Sequence, residues 1–228
     1  GVVFLGGFRS DMTGTKAVHL QDWAERTGRA FLRFDYSGHG ASSGAFEDGG
    51  ISTWAEDAMA AVGVLTDGPQ VLVGSSMGGW IALLVAKAMP EKVAGLVTVA
   101  AAPDFTEDGI WAKLSEAERD ALLRDGALRL PSDYGEPLPI TARLIEDGRA
   151  NLVLRSPLPL PMPVRCLQGT ADAEVSADTA LRLLDHAEAD DMRLTLVRGA
   201  DHRFSDAACL DLITETVARV VPATGGAA

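Results

Sequence analysis

The residues best suited to chemistry gather in one short string, Gly74-Ser75-Ser76-Met77-Gly78, between the apolar run Gln70–Val73 and an apolar stretch that begins near Met77. A G-x-S-x-G at a strand-to-helix turn holds its central serine in a strained backbone conformation. Small residues two positions to either side let strand and helix pack closely, so the hydroxyl is pushed outward. The helix N-terminus behind it offers free N–H groups and the positive end of a dipole to developing negative charge. Ser76 is therefore the expected nucleophile of an acyl transfer.

A serine hydroxyl is a weak nucleophile at neutral pH and needs a neighbouring base. Of the four histidines, His19 and His186 lie within helix-like stretches and read as ordinary side chains. His39 sits in the glycine turn Asp35-Tyr36-Ser37-Gly38-His39-Gly40, near enough to the site to matter. His202 follows the run Arg193–Val197 and the turn Gly199-Ala200-Asp201, which brings it to the same end of a sheet as Ser76, and it is the expected general base. The base needs an acid to fix its tautomer. Asp172, just after Val164–Leu167, completes the chain order serine, acid, histidine. Asp201 is the rival, but adjacent residues in an extended loop point apart, so its reach to the His202 ring is poor. Glu174 and Asp178 read as turn or helix-start residues. Two backbone donors should hold the oxyanion: Met77 N–H, and Phe8 N–H from the loop Leu5-Gly6-Gly7-Phe8 after the first strand.

These residues must be positioned by regular elements, and the chain supplies them in alternation. Short β-branched runs at Val2–Leu5, Ala30–Phe34, Val71–Val73, Val93–Val99, Val164–Leu167 and Arg193–Val197 are separated by amphipathic stretches at 16–27, 51–66, 77–89, 176–189 and 206–221. A βαβα order implies an α/β fold with a mostly parallel sheet covered by helices on both faces, and in such a sheet ligands bind at the carboxyl ends of the strands. The alternation stops once, between Ala102 and Pro163. A capping-box pattern at Ser115-Glu116-Ala117-Glu118 starts a helix over 116–125, and prolines punctuate the remainder. An excursion of this length is too large for a simple crossover and reads as a small helical lid, about 103–160, over one domain spanning 1–228. Its apolar surface comes from Trp111, Leu114, Leu122, Leu123, Leu128, Tyr134, Ile140, Leu144 and Ile145, which serve either the substrate or the attachment of lid to body. The Ala/Gly-rich end at 223–228 is expected to fray.

Composition narrows the partners. The 228 residues carry 32 acidic against 20 basic side chains, a net charge of −12, which disfavours nucleic acid and anionic lipid surfaces. Even the apolar stretch Ile81–Ala88 is cut short by Lys87 and Pro90, so no membrane span is expected. Two cysteines, Cys166 and Cys209, give no disulfide framework and suit a reducing compartment. With basic charge almost all arginine, the sequence points to a bacterial, cytoplasmic protein. Gly1 opens directly into the first strand, which is compatible with a targeting segment upstream.

Ser76, Asp172 and His202 in this order, on this alternation, resemble the α/β-hydrolase superfamily over essentially the whole chain. A closer likeness rests on longer strings: Met12-Thr13-Gly14-Thr15-Lys16-Ala17, Arg33-Phe34-Asp35-Tyr36-Ser37-Gly38, Val73-Gly74-Ser75-Ser76-Met77-Gly78-Gly79-Trp80, Pro90-Glu91-Lys92-Val93 and Asp201-His202-Arg203. These are similar to the palmitoyl-protein thioesterase and acyl-glucuronide esterase family with its bacterial members. The resemblance implies hydrolysis of acyl thioesters, S-acylated proteins among them, or of acyl esters, through an acyl-enzyme on Ser76 and without metal or cofactor. Family members usually carry an extra strand pair before the position of Val2, so an open sheet edge is expected here, and the lid matches less well than the body. Other readings of the same residues are a general carboxylesterase, a cofactor-free perhydrolase, or a non-catalytic member of the fold that binds a small molecule.

Overall fold

A computed structural model describes residues 1–131 and 137–221. Tyr134, expected in the lid, and the end at 223–228 lie outside the described residues. In chain order the elements are β1 (Val2–Leu5), α1 (Thr15–Arg26), β2 (Phe31–Arg33), α2 (Ile51–Leu65), β3 (Gln70–Ser75), α3 (Met77–Ala88) and β4 (Val93–Val99). There follow α4 (Glu116–Asp125), β5 (Ala127–Leu130), β6 (Leu138–Thr141), α5 (Ala142–Ala150), β7 (Val164–Gly169), α6 (Ala177–His186), β8 (Met192–Val197) and α7 (Ala207–Val220).

Six strands form one parallel sheet in the order β2-β1-β3-β4-β7-β8. Alternate side chains along each strand leave opposite faces. Val3, Leu5, Leu72 and Leu96 enter one core with Trp54 of α2 and Trp80 of α3. Val2, Phe4, Val71, Val73, Val97 and Val99 enter the other, with Leu20 and Trp23 of α1 and Ile213 and Val217 of α7. Both faces being covered, β1, β3 and β4 read as continuous apolar runs. From β1 the chain steps outward to β2 and then back across to β3, so the direction of winding reverses between β1 and β3. The crevice at the carboxyl ends of these two strands is where such sheets bind ligands. Among the described residues β2 and β8 are the edges of this sheet.

Between β4 and β7 the chain leaves the sheet. The helix read over 116–125 forms as α4, with the capping box in place: Ser115 Oγ accepts from Glu118 N–H while the Glu118 carboxylate accepts from Ser115 N–H. The proline-punctuated remainder holds more structure than its sequence suggests. An antiparallel hairpin of β5 and β6 leads into α5, capped by Thr141 Oγ1 accepting from Leu144 N–H. Pro139 is tolerated within β6 because this ribbon has only two strands and so each has a free edge. Leu114, Leu122, Ile140, Leu144 and Ile145 are buried in the same core as Trp54 and Trp80, with Trp111 and Leu128 packed against it. These residues attach the excursion to the body, whereas Leu123 stays 63% exposed.

One carboxylate secures that attachment. Asp104 is wholly buried in a left-handed conformation, with φ 58°. It accepts hydrogen bonds from Val153 N–H (2.8 Å), Leu154 N–H (3.1 Å) and Arg155 Nη1 (2.8 Å). Arg155 also pairs with Asp108, which holds Arg182 of α6 at 2.8 Å. Removing the carboxylate strands two buried N–H groups and half of an ion pair, so Asp104→Ala should lower the unfolding free energy by about 3 kcal/mol. Urea denaturation followed by tryptophan fluorescence measures this loss.

Candidate active site

The site begins with a packing constraint on β3 and α3. A Cβ on Gly74 would collide with the carbonyl of Gly78, and one on Gly78 would collide with the carbonyls of Leu5 and Gly6. Only glycine at both positions lets α3 start directly on top of β3 and against the end of β1. Ser76 occupies the turn between them with φ 54° and ψ −119°, a region an L-residue enters only when its surroundings enforce it. Its backbone is tied on both sides, since Ser76 N–H donates to Val99 O at 2.9 Å and Ser76 O accepts from Gly79 and Ala102 N–H at 2.9 and 3.1 Å.

The three residues singled out in the sequence meet at this turn, 126 positions separating Ser76 from His202. His202 Nε2 lies 3.0 Å from Ser76 Oγ, and its Nδ1 lies 2.9 Å from Asp172 Oδ2. A carboxylate can only accept, so Nδ1 carries the ring hydrogen and Nε2 presents its lone pair to the serine hydroxyl. The Asp172 side chain is wholly buried. Its Oδ1 accepts from Glu174 N–H (2.9 Å) and Val175 N–H (2.8 Å), and its Oδ2 also accepts from Gln168 Nε2 (3.0 Å). Burial alone would push this carboxyl up; the hydrogen bonds, led by that to His202, outweigh it and hold Asp172 below its ordinary value. Asp201 is engaged elsewhere, accepting from Phe204 N–H at 3.1 Å, and Asp178 lies in the first turn of α6.

Glu174 is where the sequence reading falls short. Expected only as a turn residue, it has Oε2 3.5 Å from His202 Nε2, on the side of the ring that also faces Ser76. Its place two residues beyond Asp172 in one tight loop was the available signal.

Phe8 and Met77 stand on either side of the serine. A Cβ on Gly7, the neighbour of Phe8, would lie 3.5 Å from Ser76 Cβ, so this loop passes close by. Phe8 N–H donates to no carbonyl among the described residues, and Met77 N–H is in the first turn of α3, where the helix offers no acceptor. The Phe8 ring anchors the loop by edge contacts with Phe46, Trp54 and Phe105, centroids 4.9, 5.8 and 5.5 Å away.

A cavity of about 850 Å³ opens over Ser76 and His202, lined by Phe8 and Arg9 of the β1 loop and by Pro131 and Leu138 at the turn end of the hairpin. Lys16 also lines it, its ammonium donating to Arg203 O; burial pushes this lysine below its ordinary value. Arg9, Lys16 and Arg203 thus line the cavity together with the carboxylates of Asp11 and Glu174. Among the described residues no group of three or more His, Cys, Asp or Glu side chains could hold a metal ion, and no helix is long and apolar enough to cross a membrane.

A sequence profile described as the alpha/beta hydrolase family matches residues 2–225, and the chain belongs to this family. Human mitochondrial palmitoyl-protein thioesterase ABHD10 is 34% identical over 95% of this chain and 71% of its own length. Among solved structures, a hydrolase from Agrobacterium vitis S4 superposes with a TM-score of 0.93 at 45% identity, covering 96% of this chain and 87% of that one. Mouse alpha/beta hydrolase domain-containing protein 10 superposes with a TM-score of 0.90 at 33% identity, covering 97% and 89%.

The depressed Asp172 carboxyl fixes the sign of a pH dependence. Its bonds stabilise the fold above the ordinary carboxylate value, near 4, and that stabilisation is lost as pH falls through the lower folded-state value. Asp172→Asn should therefore be less stable than wild type at pH 7, with the gap narrowing below pH ~4. Denaturant melts of both proteins across that range check the convergence.

Proposed function

We propose that Ser76, His202 and Asp172 act as a catalytic triad that hydrolyses acyl thioesters and acyl esters through an acyl-enzyme. The observation that carries this reading is the continuous relay from Ser76 Oγ through the His202 ring to the buried Asp172 carboxylate, at 3.0 and 2.9 Å. As Ser76 Oγ attacks the acyl carbonyl, its proton passes to His202 Nε2, and Asp172 stabilises the resulting imidazolium. The N–H groups of Phe8 and Met77 hold the oxyanion, a role suited to donors that have no competing acceptor. The tetrahedral intermediate collapses, and His202 returns the proton to the departing thiolate or alkoxide. Water, deprotonated by the same nitrogen, then attacks the acyl-serine and releases the acid. These steps require neither metal nor cofactor.

For the substrate class, the match to a palmitoyl-protein thioesterase along 95% of the chain favours a thioester, with S-acylated protein as the natural form. The excursion over 103–160 serves as a lid whose hairpin closes one side of the cavity, with Pro131 and Leu138 facing the acyl group. The whole chain acts as one catalytic domain. Two unpaired, buried thiols, Cys166 and Cys209, fit a reducing compartment such as a bacterial cytoplasm.

Ser76→Ala should abolish both hydrolysis and labelling by a fluorophosphonate probe, and Asp172→Asn should lower kcat by about 10⁴ through loss of the productive tautomer. Labelling that survives Ser76→Ala overturns the assignment. Turnover of an S-palmitoyl peptide beside p-nitrophenyl esters and an acyl glucuronide should favour the thioester; faster cleavage of short oxygen esters would make the protein a general carboxylesterase.

A further inference from the structure

His39 is a buried titratable side chain that the relay does not use. It is 3% exposed, and its ring is edge-on to Tyr36, Phe46 and Trp54, with centroids 5.5, 5.1 and 5.1 Å away. Its Nε2 lies 3.3 Å from Arg9 N–H, and its Nδ1 lies 3.3 Å from Ser37 O. A peptide N–H can only donate and a carbonyl can only accept, so both neighbours demand the same neutral tautomer, hydrogen on Nδ1 and lone pair on Nε2. A protonated ring would set Nε2–H against Arg9 N–H. Burial works in the same direction, pushing this imidazole below its ordinary value against the opposing influence of Ser37 O, Asp35 and Asp57; Arg9 adds to the lowering.

What this bond restrains matters more than the bond itself. Arg9 has φ 56°, a conformation that a non-glycine residue holds only when its surroundings fix it. Its amide is the far end of the peptide whose carbonyl belongs to Phe8, so anchoring Arg9 N–H restrains the backbone on one side of Phe8, a residue that lines the cavity. The other side of the turn is closed by Ser10, whose N–H and Oγ both donate to Gly7 O, at 3.1 and 2.8 Å. The Phe8 ring, moreover, rests on Phe46 and Trp54, two of the aromatics that pack around His39.

We propose that His39 is a positioning residue for the reaction: through Arg9 N–H it holds the loop Gly6–Ser10 in the conformation that directs Phe8 N–H at the oxyanion. The proposal rests on the hydrolase reading above. His39 touches neither the reacting atoms nor His202, so it acts on the rate only through the loop.

Two variants separate this role from packing. His39→Phe suits an aromatic surround but cannot accept a hydrogen bond, whereas His39→Gln places an amide oxygen near the position of Nε2. Initial rates on p-nitrophenyl butyrate, thermal midpoints, and fluorophosphonate labelling of Ser76 would be measured for both and for wild type. His39→Phe should lower kcat about 10- to 100-fold with KM within about twofold, and His39→Gln should regain at least a third of the lost factor. The imidazole ¹⁵N shifts of wild type should report a neutral ring protonated at Nδ1. His39→Phe with kcat within twofold of wild type, a glutamine variant no better than the phenylalanine one, or a wild-type ring protonated at Nε2 overturns the proposal. Wild type that neither labels at Ser76 nor turns over overturns the hydrolase reading instead.

Discussion

The site depends on how closely α3 can approach β3 and β1. With no side chain at Gly74 or Gly78, the helix begins within one residue of the strand's end, and Ser76 is left in a conformation that neither element would choose alone. Such a conformation costs on the order of 1–3 kcal/mol, and the surrounding structure must enforce it. The sheet does so here: Ser76 bonds to Val99 on one side and to Gly79 and Ala102 on the other. The Ser76 turn therefore does not search for its conformation; the core that stabilises the protein also sets the hydroxyl beside His202.

Charge is arranged on the same principle. An acidic protein buries one carboxylate beside a histidine and surrounds it with three N–H donors, so that Asp172 stays ionised although its burial opposes this. The rim of the cavity, by contrast, carries Arg9, Lys16 and Arg203. Asp172 thus lies behind the imidazole, at Nδ1, while the cavity in front mixes these cations with the carboxylates of Asp11 and Glu174.

Most of this was readable from residue order. The strands at Val2–Leu5 and Val93–Val99 form with the bounds their β-branched runs suggest, because strands buried on both faces are largely apolar and the runs stop at small residues, Gly6 after one and Ala100 after the other. Ser76, Asp172 and His202 could be found because each follows a strand, and a parallel sheet delivers all such positions to one rim. The hairpin and α5 could not be read in the same way. Pro139 argues against a strand in general, and only the free edge of a two-stranded ribbon makes it acceptable within β6. The partners of Glu174 and His39 were not legible for another reason: they are a ring nitrogen and a main-chain amide distant in sequence, and contacts of that kind leave no periodic signature, although both residues sit in loops that the sequence places near the site.

The hairpin has a consequence of its own. Among the described residues β5 and β6 pair only with each other, sharing no ladder with the six-stranded sheet, yet their ends contribute Pro131 and Leu138 to the cavity wall. A ribbon that shares no ladder with the sheet, and whose turn is tied to the β1 loop by Arg9 Nη1 donating to Pro137 O at 3.4 Å, can be lengthened, shortened or rewritten without moving the register of any sheet strand. Inheritance can therefore reshape this wall of the cavity while the arrangement of Ser76, His202 and Asp172 passes down unchanged.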